Sequence, residues 1–156
     1  MIFGEVINDL NLLKKFNLPF EFLEENKWSS PPISVIEMFR IASKNITYYS
    51  LFDKKGGKIG NVFYIIINFS NGYDSLHLLV LVSPQNAILS CFPLFTMLYG
   101  SYETIVPEIL KNYIGKNTKN LKLDRALYPG AEETLEWIEK IFYASLLINR
   151  KIEGLQ

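Results

Sequence analysis

The chain has one histidine and one cysteine, so any side-chain chemistry starts from very few groups. A histidine can act as a general base when a carboxylate or a tyrosine orients its ring. His77 stands three residues after Asp74, and Tyr64 and Asn68 precede it on the other side of an Asn71-Gly72 pair. Asn-Gly between two apolar runs specifies a two-residue hairpin turn, because both residues tolerate positive φ. Such a turn pairs Ser70 with Tyr73 and Ile66 with His77. Alternation then puts Tyr64, Asn68, Ser75, His77 and Ser83 on one face of the ribbon. Phe63, Ile65, Ile67, Phe69, Leu76, Leu78, Val80 and Val82 fall on the other. Tyr64, Asn68 and His77 are therefore a candidate pocket. Asp74 lies across the pleat from His77, however, and no nucleophile stands at a recognisable spacing. The simpler expectation is a hydrogen-bonded structural histidine on a half-covered sheet.

Cys91, in Leu89-Ser90-Cys91-Phe92-Pro93, has no neighbouring base or helix N-terminus in view to lower its pKa, so it reads as a small buried hydrophobe. Gly57-Lys58-Ile59-Gly60 has the letters of a phosphate loop, but a strand follows where a helix N-terminus is needed. It reads as a soluble hairpin turn. A single cysteine rules out an intrachain disulfide and any cysteine-rich zinc site, and a single histidine rules out a His-pair metal motif. The expectation is no metal, no cofactor and no catalytic residue.

The charges point elsewhere. Lys and Arg number 16, as do Asp and Glu, so the net charge is zero. Nucleic-acid binding by counter-ion release needs a surplus of cations that this chain lacks. Lys116, Lys119, Lys122 and Arg125 form a spaced basic run, which reads as a solvated charge run with Asp124 beside it. Glu132, Glu133, Glu136 and Glu139 form an acidic one, favoured near a helix N-terminus by the helix dipole. Glu21, Glu24 and Glu25 are interleaved with Phe20, Phe22 and Trp28. Carboxylates mixed with aromatics suit an interface with a cationic protein. These two acidic groups, with Trp28, are the candidate partner-binding residues.

The elements that must position these residues follow from periodicity. Residues 59–101 hold one charged side chain, Asp74, whereas the flanks carry the other 31. A charge-depleted centre implies a sheet covered on much of both faces. Strands are expected over Ile46–Asp53, Asn61–Phe69, Ser75–Ser83 and Ala87 to about Phe92, joined by short turns that make neighbours antiparallel. Phe20–Glu25 is open between a short strand and a helical turn. Helices are expected over Glu5–Phe16, over Ser34 to about Lys44 behind a Ser34/Glu37 capping box, over Ile105–Tyr113 and over Ala131–Lys151. Pro107 fits the third only if it falls in the first turn. In the last helix Leu135, Ile138 and Phe142 face inward, and Glu132, Glu133, Glu136, Glu139 and Lys140 outward. Residues 141–148 are apolar all round, so that segment is either central to the domain or half of a homodimer interface.

The fold class expected is thus α+β, one domain over residues 1–156, with a four-stranded antiparallel meander flanked by two N-terminal and two C-terminal helices. Leu76–Gly100 lacks charged side chains over 25 residues, but Ser83-Pro84-Gln85-Asn86 and Pro93 interrupt it, so two buried strands explain it better than a membrane span. The N-terminus lacks a signal-peptide pattern, and the lone cysteine suits a reducing cytoplasm. Composition rich in Asn, Ile, Lys and Tyr suggests an AT-rich microbial or phage gene. Surplus aromatics, segregated acids and few catalytic groups lead to an expected non-catalytic, immunity- or inhibitor-type protein that occludes a basic toxin or enzyme. A small-molecule site around His77 and a homo-oligomer are the alternatives.

Overall fold

A computed structural model describes residues 2–3, 13, 18, 20–28, 46–68, 75–97 and 102–155. Its strands are β1 (Ile2–Phe3), β2 (Phe22–Trp28), β3 (Ile46–Phe52), β4 (Lys58–Asn68), β5 (Ser75–Val82) and β6 (Ile88–Met97). Its helices are α1 (Tyr102–Lys111) and α2 (Glu132–Ile152), with a short 3-10 turn at Arg125–Leu127 between them. The protein is α+β.

The sheet is antiparallel, with spatial order β2-β3-β4-β5-β6. It has one more strand in the meander than the four expected. Glu24-Glu25-Asn26-Lys27 has poor strand propensity, yet β2 pairs with β3 along its whole length, from Phe22 opposite Phe52 to Trp28 opposite Ile46. Pairing and the burial of Leu23 over Leu51 override propensity, and a terminal strand tolerates charge. β4 pairs with β5 along one side. On its other side β3 pairs near its start, and β1 pairs with Ile65 and Ile66 further along. Ile66 lies opposite His77, the register that a two-residue turn demands. β6 runs past Pro93, where a strand end was expected. The ladder is irregular there: Phe95 faces His77 and Pro93 faces Leu78, leaving Leu94 as an extra residue. A bulge on a terminal strand tolerates a residue with no N–H to donate.

The β3–β4 and β5–β6 turns, residues 53–57 and 83–87, share one construction. Asp53 N–H donates to the Gly57 carbonyl and Ser83 N–H to that of Ala87, and the fourth residue takes positive φ, Gly56 in one and Asn86 in the other. Ser83, expected on the His77 face, instead leaves the strand and its hydroxyl accepts from Ala87 N–H.

The sheet carries a core on each face. On one side Phe63, Ile65, Leu78, Val80 and Val82 pack against Val106, Ile109 and Leu110 of α1 and Leu135, Ile138 and Phe142 of α2. On the other, Tyr49, Leu51, Val62, Leu79 and Leu81 pack with Leu13, and Leu18, Phe20 and Leu23 lie against them. Two covered faces explain the charge-free centre. Pro107 is exposed and lies well inside α1 rather than in its first turn, so one helical hydrogen bond is missing on the solvent side. In α2 Ile141, Phe142, Ala144, Leu146 and Ile148 are all buried within the chain. The apolar half of α2 is therefore central to the fold, and little but Tyr143 and Leu147 of residues 141–148 faces outward. The expected helices over 5–16 and 34–44 lie outside the described residues, save Leu13. Among the described residues no helix is long and apolar enough to cross a membrane. The described part of the charge-free run forms β5, its turn and β6.

Candidate functional site

Three groupings emerge where side chains meet. The first is the histidine face. Tyr64 and His77 are half-buried, and Tyr64 Oη lies 2.8 Å from His77 Nδ1. Their rings meet edge-on, with centroids 6.0 Å apart. Tyr64 faces Leu79 across β4 and β5, so the diagonal approach to His77 is a product of strand register. Asn68 is the last residue of β4, opposite Ser75 of β5 in the register. Asp74 lies outside the described residues.

The second is the terminal strand β2. Glu21 precedes it, and Glu24 and Glu25 lie on it, all exposed. Between them Phe22 is 59% exposed. Trp28 is half-buried against the helix-side core, so it anchors the strand more than it offers surface. Glu21 makes one long, open contact, 3.7 Å to Lys54 Nζ, of the kind that contributes little. Leu23 faces the core around Leu13 and Leu51, and the two-residue period puts Phe22 with Glu24 and Trp28 on the helix-side face, where Phe22 is left exposed.

The third joins two features that stood apart in the sequence, the basic run 116–125 and the acidic face of α2. Glu139 is the hub. Its Oε2 accepts from Arg125 Nη1 at 2.7 Å, Tyr113 Oη at 2.8 Å and Leu123 N–H at 3.0 Å, and its Oε1 accepts from Arg125 Nη2 at 2.8 Å. Burial would raise this carboxyl, but Arg125, the Leu123 N–H and Tyr113 outweigh it and hold it below the ordinary glutamate value. Burial, and then the bond to Glu139, push the Tyr113 phenol far up, so it stays a donor. Glu139 was expected to face solvent, but its side chain is only 13% exposed. It sits four residues after Leu135 and three before Phe142, at the margin of the buried stripe, which is the sequence signal for its role.

The rest of the acidic face is largely engaged within the chain. Glu136 pairs with Lys140 at 3.3 Å, and Glu132 accepts from Gly130 N–H at 3.1 Å. Beside them the 116–123 loop and the outer face of α2 enclose an open groove of about 340 Å³, lined by Lys119, Lys122, Lys140 and Tyr143 among others.

A buried polar chain, not foreseen in the sequence, ties α2 to the sheet. Asn26 donates to Ser50, Ser50 to Asn61 Oδ1, and Asn61 Nδ2 to Asn149 Oδ1 at 2.8 Å and Glu153 at 2.7 Å. Asn149 in turn donates to the Ser83 carbonyl and to Asn86 Oδ1. Lys58 pairs with Glu153. An asparagine on the inward stripe of an apolar helix was the available sign, since a buried amide needs partners. Cys91 packs against the helix-side core, and burial pushes its thiol well up, which disfavours the nucleophilic thiolate. Among the described residues no group of three or more His, Cys, Asp or Glu side chains could hold a metal ion.

No protein-family model matches the chain, and neither does any curated protein or solved structure.

Proposed function

We propose that this is a non-catalytic protein-binding protein of the immunity or inhibitor kind, which neutralises a basic toxin or enzyme by covering it. The observation that carries the reading is the terminal strand β2, where exposed Phe22 and Glu24 lie on one face, exposed Glu25 lies on the other, and exposed Glu21 immediately precedes the strand. Phe22 supplies apolar area, and fully burying such a side chain contributes about 1.5–3 kcal/mol. Glu21, Glu24 and Glu25 supply steering toward a cationic surface and discrimination against anionic ones. Glu132 and Glu133 extend the acidic character on α2, whereas Glu136 and Glu139 are occupied by Lys140 and Arg125. The reading places the protein in the cytoplasm of a bacterium or phage-infected cell, where a toxin would have to be met.

The test uses the basic product of the neighbouring gene. A 1:1 complex is expected by calorimetry, weakened at least about tenfold by Phe22→Ala and made less salt-sensitive by Glu21→Gln/Glu24→Gln/Glu25→Gln. Absence of a complex, or a complex indifferent to both variants, removes the reading.

A second reading, a small-molecule site or enzyme on the sheet face, is favoured by the 2.8 Å approach of Tyr64 to His77. It requires a saturable ligand whose binding shifts the His77 ring resonances and is lost in Tyr64→Phe.

A further inference from the structure

We infer that the groove between the 116–123 loop and the outer face of α2 is a docking site for an extended, carboxylate-rich peptide segment of another protein. Three ammonium groups line it, Lys119, Lys122 and Lys140, together with two carboxylates. Both carboxylates are already matched, Glu139 by Arg125 and Glu136 by Lys140. Lys119 and Lys122 are exposed, and no carboxylate among the described residues pairs with either ammonium. The groove therefore carries two uncompensated positive charges, although the chain as a whole is neutral.

The backbone that carries the lysines is held in place. Leu121 and Leu123 are buried, which turns Lys122 between them outward. Leu123 is pinned further by its N–H bond to Glu139. On the other side of Leu121, Asn117 N–H donates to Asn120 Oδ1 at 2.8 Å and Lys119 N–H to Asn117 Oδ1 at 2.9 Å. The backbone share of the ordering cost of binding is thus met on folding. Leu121 and the exposed Tyr143 add apolar contact between the charges. The groove is open, so it does not surround a small molecule as ordinary ligand pockets do. An extended chain carrying carboxylates beside an aliphatic side chain suits its openness, its positive charge and the apolar surface of Tyr143. None of these residues belongs to β2, so this site stands or falls independently of the β2 reading.

The probe is an acetylated Glu-Leu-Glu-Glu peptide, titrated into the ¹⁵N-labelled full chain at low salt, with pyrophosphate as the comparison. Saturable amide shifts confined to residues 117–123 and 136–143 are expected, with affinity reduced at least about tenfold in Lys119→Gln/Lys122→Gln. Both lysines are exposed, so an unchanged urea midpoint verifies that the variant is folded. Three results overturn the inference: no saturable shift; equal shifts around the distant lysines 54, 55 and 151; or saturation by pyrophosphate with no effect of the peptide, which marks a small-anion site instead.

Discussion

Glu139→Gln tests the clamp that holds the 116–125 loop against both helices. The glutamate accepts four hydrogen bonds, two of them from one guanidinium. Glutamine keeps one oxygen, which can still serve Tyr113 and Leu123, but its amide nitrogen then faces Arg125 Nη2, donor against donor. One charge-assisted bond is lost, and another is weakened because its acceptor is no longer charged. Such bonds contribute about 1.5–3 kcal/mol each. Arg125 is 29% exposed, so solvent screening lowers the net effect to about 2 kcal/mol. Glu139→Ala, which also strands the buried Tyr113 hydroxyl and the Leu123 N–H, should cost about 3–4 kcal/mol. For a chain of this size the glutamine variant should melt about 4–8 °C lower. The pH dependence has a fixed sign. The folded carboxyl titrates below its unfolded value of about 4.3, so its contribution is full above that pH and is lost as pH falls through the folded pKa. Urea unfolding at a series of pH values should show the gap between wild type and Glu139→Gln constant near neutrality and closing in acid. A gap under about 0.5 kcal/mol at pH 7, or one that stays constant into acid, would refute the clamp.

Asn149→Ala should cost about 2–4 kcal/mol in urea unfolding, because it leaves Asn61, Asn86 and the Ser83 carbonyl short of partners at a fully buried position. Gly60→Ala should destabilise by more than about 2 kcal/mol, since a Cβ there would run into the Val82 carbonyl oxygen, a backbone atom on the adjacent strand that cannot swing aside. Cys91 should react with a thiol reagent at pH 8 far more slowly in the native chain than in urea; equal rates would contradict its packing against the helix-side core.

Much of this architecture was legible from local pattern. The charge-free centre implied a sheet covered on both faces, and a two-residue turn read from Asn71-Gly72 predicted the register found, Ile66 opposite His77. Leu135, Ile138 and Phe142 marked the inward stripe of α2. These signals are local: hydrophobic period and turn chemistry act within a few residues, so the order of residues carries them. Three features depended on distant contacts. Glu24-Glu25-Asn26-Lys27 became strand only because β3 was there to pair with it. Glu139 turned inward because Arg125, fourteen residues earlier, reaches it across the loop. Asn61 and Asn149, 88 positions apart, bond each other, Asn61 also with Ser50 and Glu153 and Asn149 with Ser83 and Asn86. A polar side chain of ambiguous periodicity follows its partner, and the partner's position is a property of the folded chain.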